Sequence, residues 1–144
     1  MTSRFFLLPI LLVCAAVAAA PKSKAKTKPL SDACRLIVRD TLLLQGYANY
    51  CPQPDMLVAA GSMRRLEKAH KRQKELVAAC GMKYDEPAKQ TESVKSIPGL
   101  APVLEAAVSG NAMGNTAVIL EKSVYFCAVH RAEFSRLVNE RNTK

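Results

Sequence analysis

Apolar residues recur at helical spacing along most of this chain. Between residues 31 and 51, Cys34, Ile37, Val38, Thr41, Leu44, Gln45, Ala48 and Cys51 follow a three-and-four interval, which gathers side chains on one face of an α-helix. Leu42, Leu43 and Tyr47 widen that stripe and predict a helix buried on more than one flank. Ser31 is a good N-cap, Asp32 complements the helix dipole, and Pro52 and Pro54 require an end near Tyr50.

A second helix is expected from Asp55 to Cys80, with Gly81 as its stop. Around its wheel Ala59, Met63, Leu66, Ala69, Gln73, Leu76, Val77 and Cys80 gather on one side. Arg64, Arg65, Lys68, Lys71 and Arg72 gather on the other, with Glu75 the one acid among them, and Glu67 is spaced to pair with Lys71. Gly61-Ser62 is the weak point, where a kink or break is expected.

Asp85-Glu86-Pro87 can open a short helix reaching Ser96, lightly packed because its apolar residues are only Ala88, Val94 and Ile97. Ile97-Pro98-Gly99 is a turn. Pro102 opens another short helix carrying Leu100, Val103, Leu104, Ala107 and Val108, which stops at Ser109-Gly110-Asn111. The last helix is expected from Thr116 to Asn139, with Ala117, Leu120, Val124, Cys127, Ala128, Phe134, Leu137 and Val138 facing inward. Arg131, Arg136 and Arg141 lie toward its C-terminal end, where the dipole favours cations. No strand-like alternation interrupts these patterns. The fold expected is all-α: a small disulfide-stapled bundle of three main helices plus one or two short ones.

The first thirty residues are of another kind. Arg4, an apolar run from Phe5 to Ala20, and the small residues Val17-Ala18-Ala19 have the three parts of a secretory signal peptide, assigned to residues 1–19. The run holds Pro9 and is short for a bilayer-spanning helix. Cys14 follows Leu11-Leu12-Val13 rather than a small residue, which makes lipidation the weaker reading. Residues 20–30 place lysines at 22, 24, 26 and 28 between Pro21 and Pro29, the composition of a disordered tether. Residues 31–141 form a single helical domain on this reading.

Export changes the meaning of the cysteines. The whole chain has 21 Lys and Arg against 12 Asp and Glu; loss of the leader takes Arg4 with it and leaves a net charge of +8. It also leaves Cys34, Cys51, Cys80 and Cys127, an even set that an oxidising compartment would pair. Antiparallel packing of the first two helices favours Cys34–Cys80, which leaves Cys51 for Cys127. Cys34–Cys127 with Cys51–Cys80 is the alternative. Zinc is disfavoured, because structural sites bring ligands in close pairs and here the gaps are 17, 29 and 47 positions. The absence of any Asn-x-Ser/Thr acceptor and the Ala-rich cleavage region suit a periplasm, with an extracellular location as the other option.

Candidate chemistry is sparse. His70 and His130 are the only histidines, neither stands in a His-Glu-x-x-His arrangement, and there is no Cys-x-x-Cys; both are expected at the surface or its boundary. No catalytic residue, metal or cofactor is implied. The basic face of the second helix stands out, as a solvated surface or as a patch for an anionic partner such as phospholipid, lipopolysaccharide or an acidic protein. Nucleic acid fits poorly, because the stripe has no interleaved aromatics. Asn49-Tyr50-Cys51-Pro52-Gln53-Pro54 could be a stiff loop presenting Tyr50, or simply the stop of one helix and the start of the next. The function expected is a non-enzymatic exported binding protein of the periplasm or cell envelope, with peripheral membrane contact. An inhibitor or immunity protein against a secreted enzyme is the alternative, and a stress-responsive chaperone is a further one.

Overall fold

The computed structural model describes residues 29–109 and 115–143. The leader assigned to residues 1–19, most of the Lys-rich segment and the loop after Ser109 lie outside the described residues. Among the described residues six α-helices follow in order: α1 (Asp32–Tyr50), α2 (Gln53–Ala60), α3 (Met63–Ala79), α4 (Thr91–Lys95), α5 (Leu100–Val108) and α6 (Asn115–Thr143), with a 3-10 turn at Pro87–Lys89. The described residues contain no strand.

Local rules account for most of the boundaries. Ser31 Oγ accepts the Cys34 N–H at 3.3 Å and caps α1. The expected break at Gly61-Ser62 is complete. Gly61 stops α2 in the left-handed conformation at φ +81, and Ser62 Oγ starts α3 by accepting the Arg65 N–H at 3.3 Å. Beyond α3, Gly81 sits at φ +75, with Gly81 N–H on the Ala78 carbonyl at 2.9 Å and Met82 N–H on the Val77 carbonyl at 3.2 Å. That pair of bonds is a Schellman stop. The segment expected as one helix up to Ser96 is divided into the 3-10 turn and α4, and Ile97 is fully buried rather than lightly packed.

The 19 residues of α1 and 17 of α3 give rods of about 28 and 25 Å. Matched lengths bring the start of α1 to the end of α3, and Cys34 is bonded to Cys80 across Cα atoms 5.7 Å apart. Cys51, at the α1–α2 turn, is bonded to Cys127 of α6, also at 5.7 Å. The favoured pairing of the sequence is therefore the pairing of the fold.

The core lies along the seam of α1 and α6. Tyr47 stacks on Phe134 at a centroid distance of 4.2 Å, and Phe126 tilts against Tyr47 at 6.4 Å. Leu42, Leu43 and Leu44 are all buried, so α1 is covered on several flanks. Leu66, Ala69 and Val77 of α3 and Leu100 and Val103 of α5 close the sides.

Two inward faces differ from expectation. In α6 the buried arc carries Ser123, Phe126, Cys127, His130, Phe134, Leu137 and Val138, while Leu120 and Val124, expected inside, are exposed, as are Ala117 and Ala128. Both sides of the first half of α6 are apolar, so its partners rather than its periodicity select the buried side. Met63, the first residue of α3, is likewise exposed.

Candidate binding surface

All five basic residues singled out in the sequence lie on α3, a helix fixed at one end by the Ser62 cap and at the other by the Cys34–Cys80 disulfide. Arg64, Arg65, Lys68 and Lys71 are exposed and Arg72 is half-buried. Arg72 pairs with Glu75 at 2.9 Å. Arg65 reaches across to Asn139 Oδ1 of α6, while its own carbonyl accepts the Asn142 amide at 2.9 Å. Arg64, Lys68 and Lys71 have no ion-pair partner among the described residues, and the Glu67–Lys71 pair is not formed. These three cations make a positive strip, bordered by two arginines that also tie the structure together.

His70 lies at the boundary as expected, whereas His130 does not. His130 is buried on the inner arc of α6. Its Nε2 lies 2.9 Å from the Pro98 carbonyl and its Nδ1 3.2 Å from Glu133 Oε2, and its ring tilts against Phe126 at 5.0 Å. It clasps the Pro98-Gly99 turn to α6. His70 is half-buried, with Nδ1 2.5 Å from the Tyr84 hydroxyl. Burial lowers the His70 pKa below 6.5 and raises that of Tyr84 to about 12. Both groups are therefore neutral near pH 7, and the His70 tautomer sets which of them donates. The grooves bordering the helices are lined without either histidine.

A polar network that the sequence did not announce joins α1, α3 and α6. Arg39 grips Glu133 through two bonds of 2.6 and 3.2 Å. Arg141 donates to Asp40 Oδ2 at 2.8 Å and to Gln73 Oε1 at 2.7 Å. Gln73 in turn donates to the Ile37 carbonyl at 2.9 Å and to Thr41 Oγ1 at 3.0 Å. The Arg39 hydrogen bond holds Glu133 below its ordinary carboxyl range. Asp40 is pushed upward, because burial outweighs the guanidinium of Arg141. Gln73 was the one available signal, a polar residue placed on the inward face of its helix. Arg39, Asp40, Glu133 and Arg141 had none, since their contacts span up to 101 positions.

All four cysteines of this body are committed to disulfides, and no group of three or more metal-ligating side chains gathers among the described residues. The Asn49–Pro54 segment is not an open loop: Gln53 and Pro54 already belong to α2, and Tyr50 is half-buried in the last turn of α1. Taken together, the chain is a small all-α protein stapled by two disulfides, with a cationic strip on one outer helix. No protein-family model, curated protein or solved structure matches it.

Proposed function

We propose that this chain is a non-enzymatic, exported binding protein of the periplasm or cell envelope, and that the α3 strip contacts an anionic partner. The observation that carries the reading is the trio Arg64, Lys68 and Lys71, exposed on a clamped helix and without an ion pair among the described residues. Uncompensated charge on a rigid rod attracts counter-charge without a cost of ordering the backbone at the moment of contact. Export is supported by two disulfides, which suit an oxidising compartment, together with the signal-like first residues.

Co-sedimentation of the oxidised protein with vesicles containing anionic phospholipid, and separately with lipopolysaccharide, tests the proposal across a salt series. Binding should be strongest at low ionic strength, and the triple variant Arg64→Glu, Lys68→Glu, Lys71→Glu should weaken it. A protein that binds neither material at low salt, where screening is least, contradicts the anionic-partner reading.

A further inference from the structure

The first four turns of α6 depart from the pattern of a helix packed on a core. Such a helix buries an apolar stripe and turns a polar face outward. Here the inner arc is filled by Phe126 and Cys127, yet the outer face is apolar as well. Val118, Leu120, Val124, Tyr125 and Val129 stand exposed, with Val124 at 68% and Tyr125 at 59%, and Val58 of α2 is 69% exposed. Val58 and Val129 border one shallow groove between α2 and α6. Glu121 is the one carboxylate between Val118 and Ala132, and it lies 3.4 Å from Lys122 Nζ.

The rim of this face is cationic. Arg131 borders the groove and has no ion pair among the described residues, and Lys122 lies on the opposite flank. At the far end Arg65 of α3 bonds to Asn139, two turns beyond Ala132 on the same outer line of α6. One edge of the cationic strip is thereby held against α6 about 10 Å beyond the apolar face. A second copy of the chain is a poorer occupant. From Val118 to Ala132 the helix rises about 21 Å, and a strip about 10 Å wide offers roughly 200 Å² per copy against the roughly 800 Å² per partner of a standard interface.

From this apolar face with its basic margin we infer that α6 lies in the plane of an anionic lipid surface, its outer valines and Tyr125 entering the headgroup–acyl boundary. Apolar residues on one side with Lys and Arg at the margin are the chemistry of interfacial helices. No described helix is long and apolar enough to cross a bilayer. The inference deepens the anionic-partner reading by naming lipid as the partner, and the test separates the two.

The chain contains no tryptophan, so Val124→Trp gives a single reporter in the purified oxidised protein. Vesicles of phosphatidylglycerol mixed with phosphatidylcholine should shift its emission to the blue, and the shift should survive about 0.5 M salt, where charge attraction is screened within a few ångströms. Val124→Glu with Val129→Glu should reduce partition at least tenfold, since burial of one valine corresponds to about that factor. Circular dichroism and the absence of free thiols verify that both variants are folded. Lys68→Glu with Lys71→Glu should weaken low-salt adsorption and leave the salt-resistant fraction. Co-sedimentation without a blue shift overturns the inference while leaving the α3 reading intact. Emission already blue in buffer, with a mass of two copies, overturns it in favour of self-association. Absence of any co-sedimentation overturns both readings.

Discussion

Replacing Arg141 by alanine should be among the most damaging single changes outside the disulfides. Its side chain keeps only 14% exposure and its partner Asp40 16%. Removing one member of a buried ion pair costs about 3–5 kcal/mol, and residual exposure brings this pair to about 2–3 kcal/mol. Gln73, which is fully buried, loses the donor to its Oε1 in the same step, at about 1–2 kcal/mol more. The sum, about 3–5 kcal/mol, is a large share of the roughly 5–15 kcal/mol of a small domain. Arg39, whose Nη1 lies 4.0 Å from Asp40, recovers a little. Urea unfolding followed by circular dichroism measures the loss.

The pH dependence supplies a second check with a definite sign. The pKa of Asp40 is raised above its ordinary 3.8 by burial. A raised carboxyl pKa means that the folded state takes up a proton more readily than the unfolded chain, so the charged form opposes stability at neutral pH and the penalty fades in acid. Loss of Arg141 raises that pKa further. The destabilisation by Arg141→Ala is therefore greatest near neutrality and shrinks as pH falls toward about 4. Combining Arg141→Met with Asp40→Leu should be milder than Arg141→Ala, because no charge is stranded. A cost below about 1 kcal/mol, within the range of ordinary surface changes, or one that does not vary with pH, would refute the reasoning.

Other expectations follow from particular contacts. Gly99→Ala should destabilise by about 1–2 kcal/mol for its left-handed backbone alone, and by more here: φ is +79 and a Cβ would lie 2.8 Å from the Tyr125 ring and 3.3 Å from Phe126 Cα. Chemical denaturation reads the change. Replacing both Cys51 and Cys127 by alanine opens a link of sequence separation 76. Loop entropy puts the loss at about 4 kcal/mol, and calorimetry should show a lower Tm even though the helices persist. Glu133 has a folded pKa below its ordinary 4.5. Its stabilisation is present above that value and is lost as pH falls through the lower folded pKa. Glu133→Gln should therefore flatten the acid limb of the stability profile, as followed by acid titration with circular dichroism.

What was legible in the sequence is what local physics decides. Ser31, Pro52, Gly61-Ser62 and Gly81 act on their own neighbours, so the ends of α1 and α3 and the break between α2 and α3 could be placed from residue types alone. The disulfide pairing followed once that break matched the lengths of α1 and α3. The inner face of α6 was misread for a physical reason: Leu120 and Val124 are as apolar as Phe126, and periodicity cannot choose between two apolar sides. His130 was placed at the surface or its boundary by the same error, since it shares its arc with Phe126. The five basic residues singled out share α3 with Lys74, and two of them, Arg65 and Arg72, are engaged by Asn139 and Glu75, which depends on side-chain geometry. The network around Asp40 and Arg141 arises only when α1, α3 and α6 meet.

Proteolysis of the unreduced, thiol-blocked protein followed by mass spectrometry bears most directly on the fold as a whole. Fragments joined through Cys34 to Cys80 and through Cys51 to Cys127, with none of the four alkylated, are the predicted products. Cys34 joined to Cys127, or any of these sulfurs recovered as an alkylated thiol, would contradict the packing of α1 against α3 and α6 from which every surface and contact above is derived.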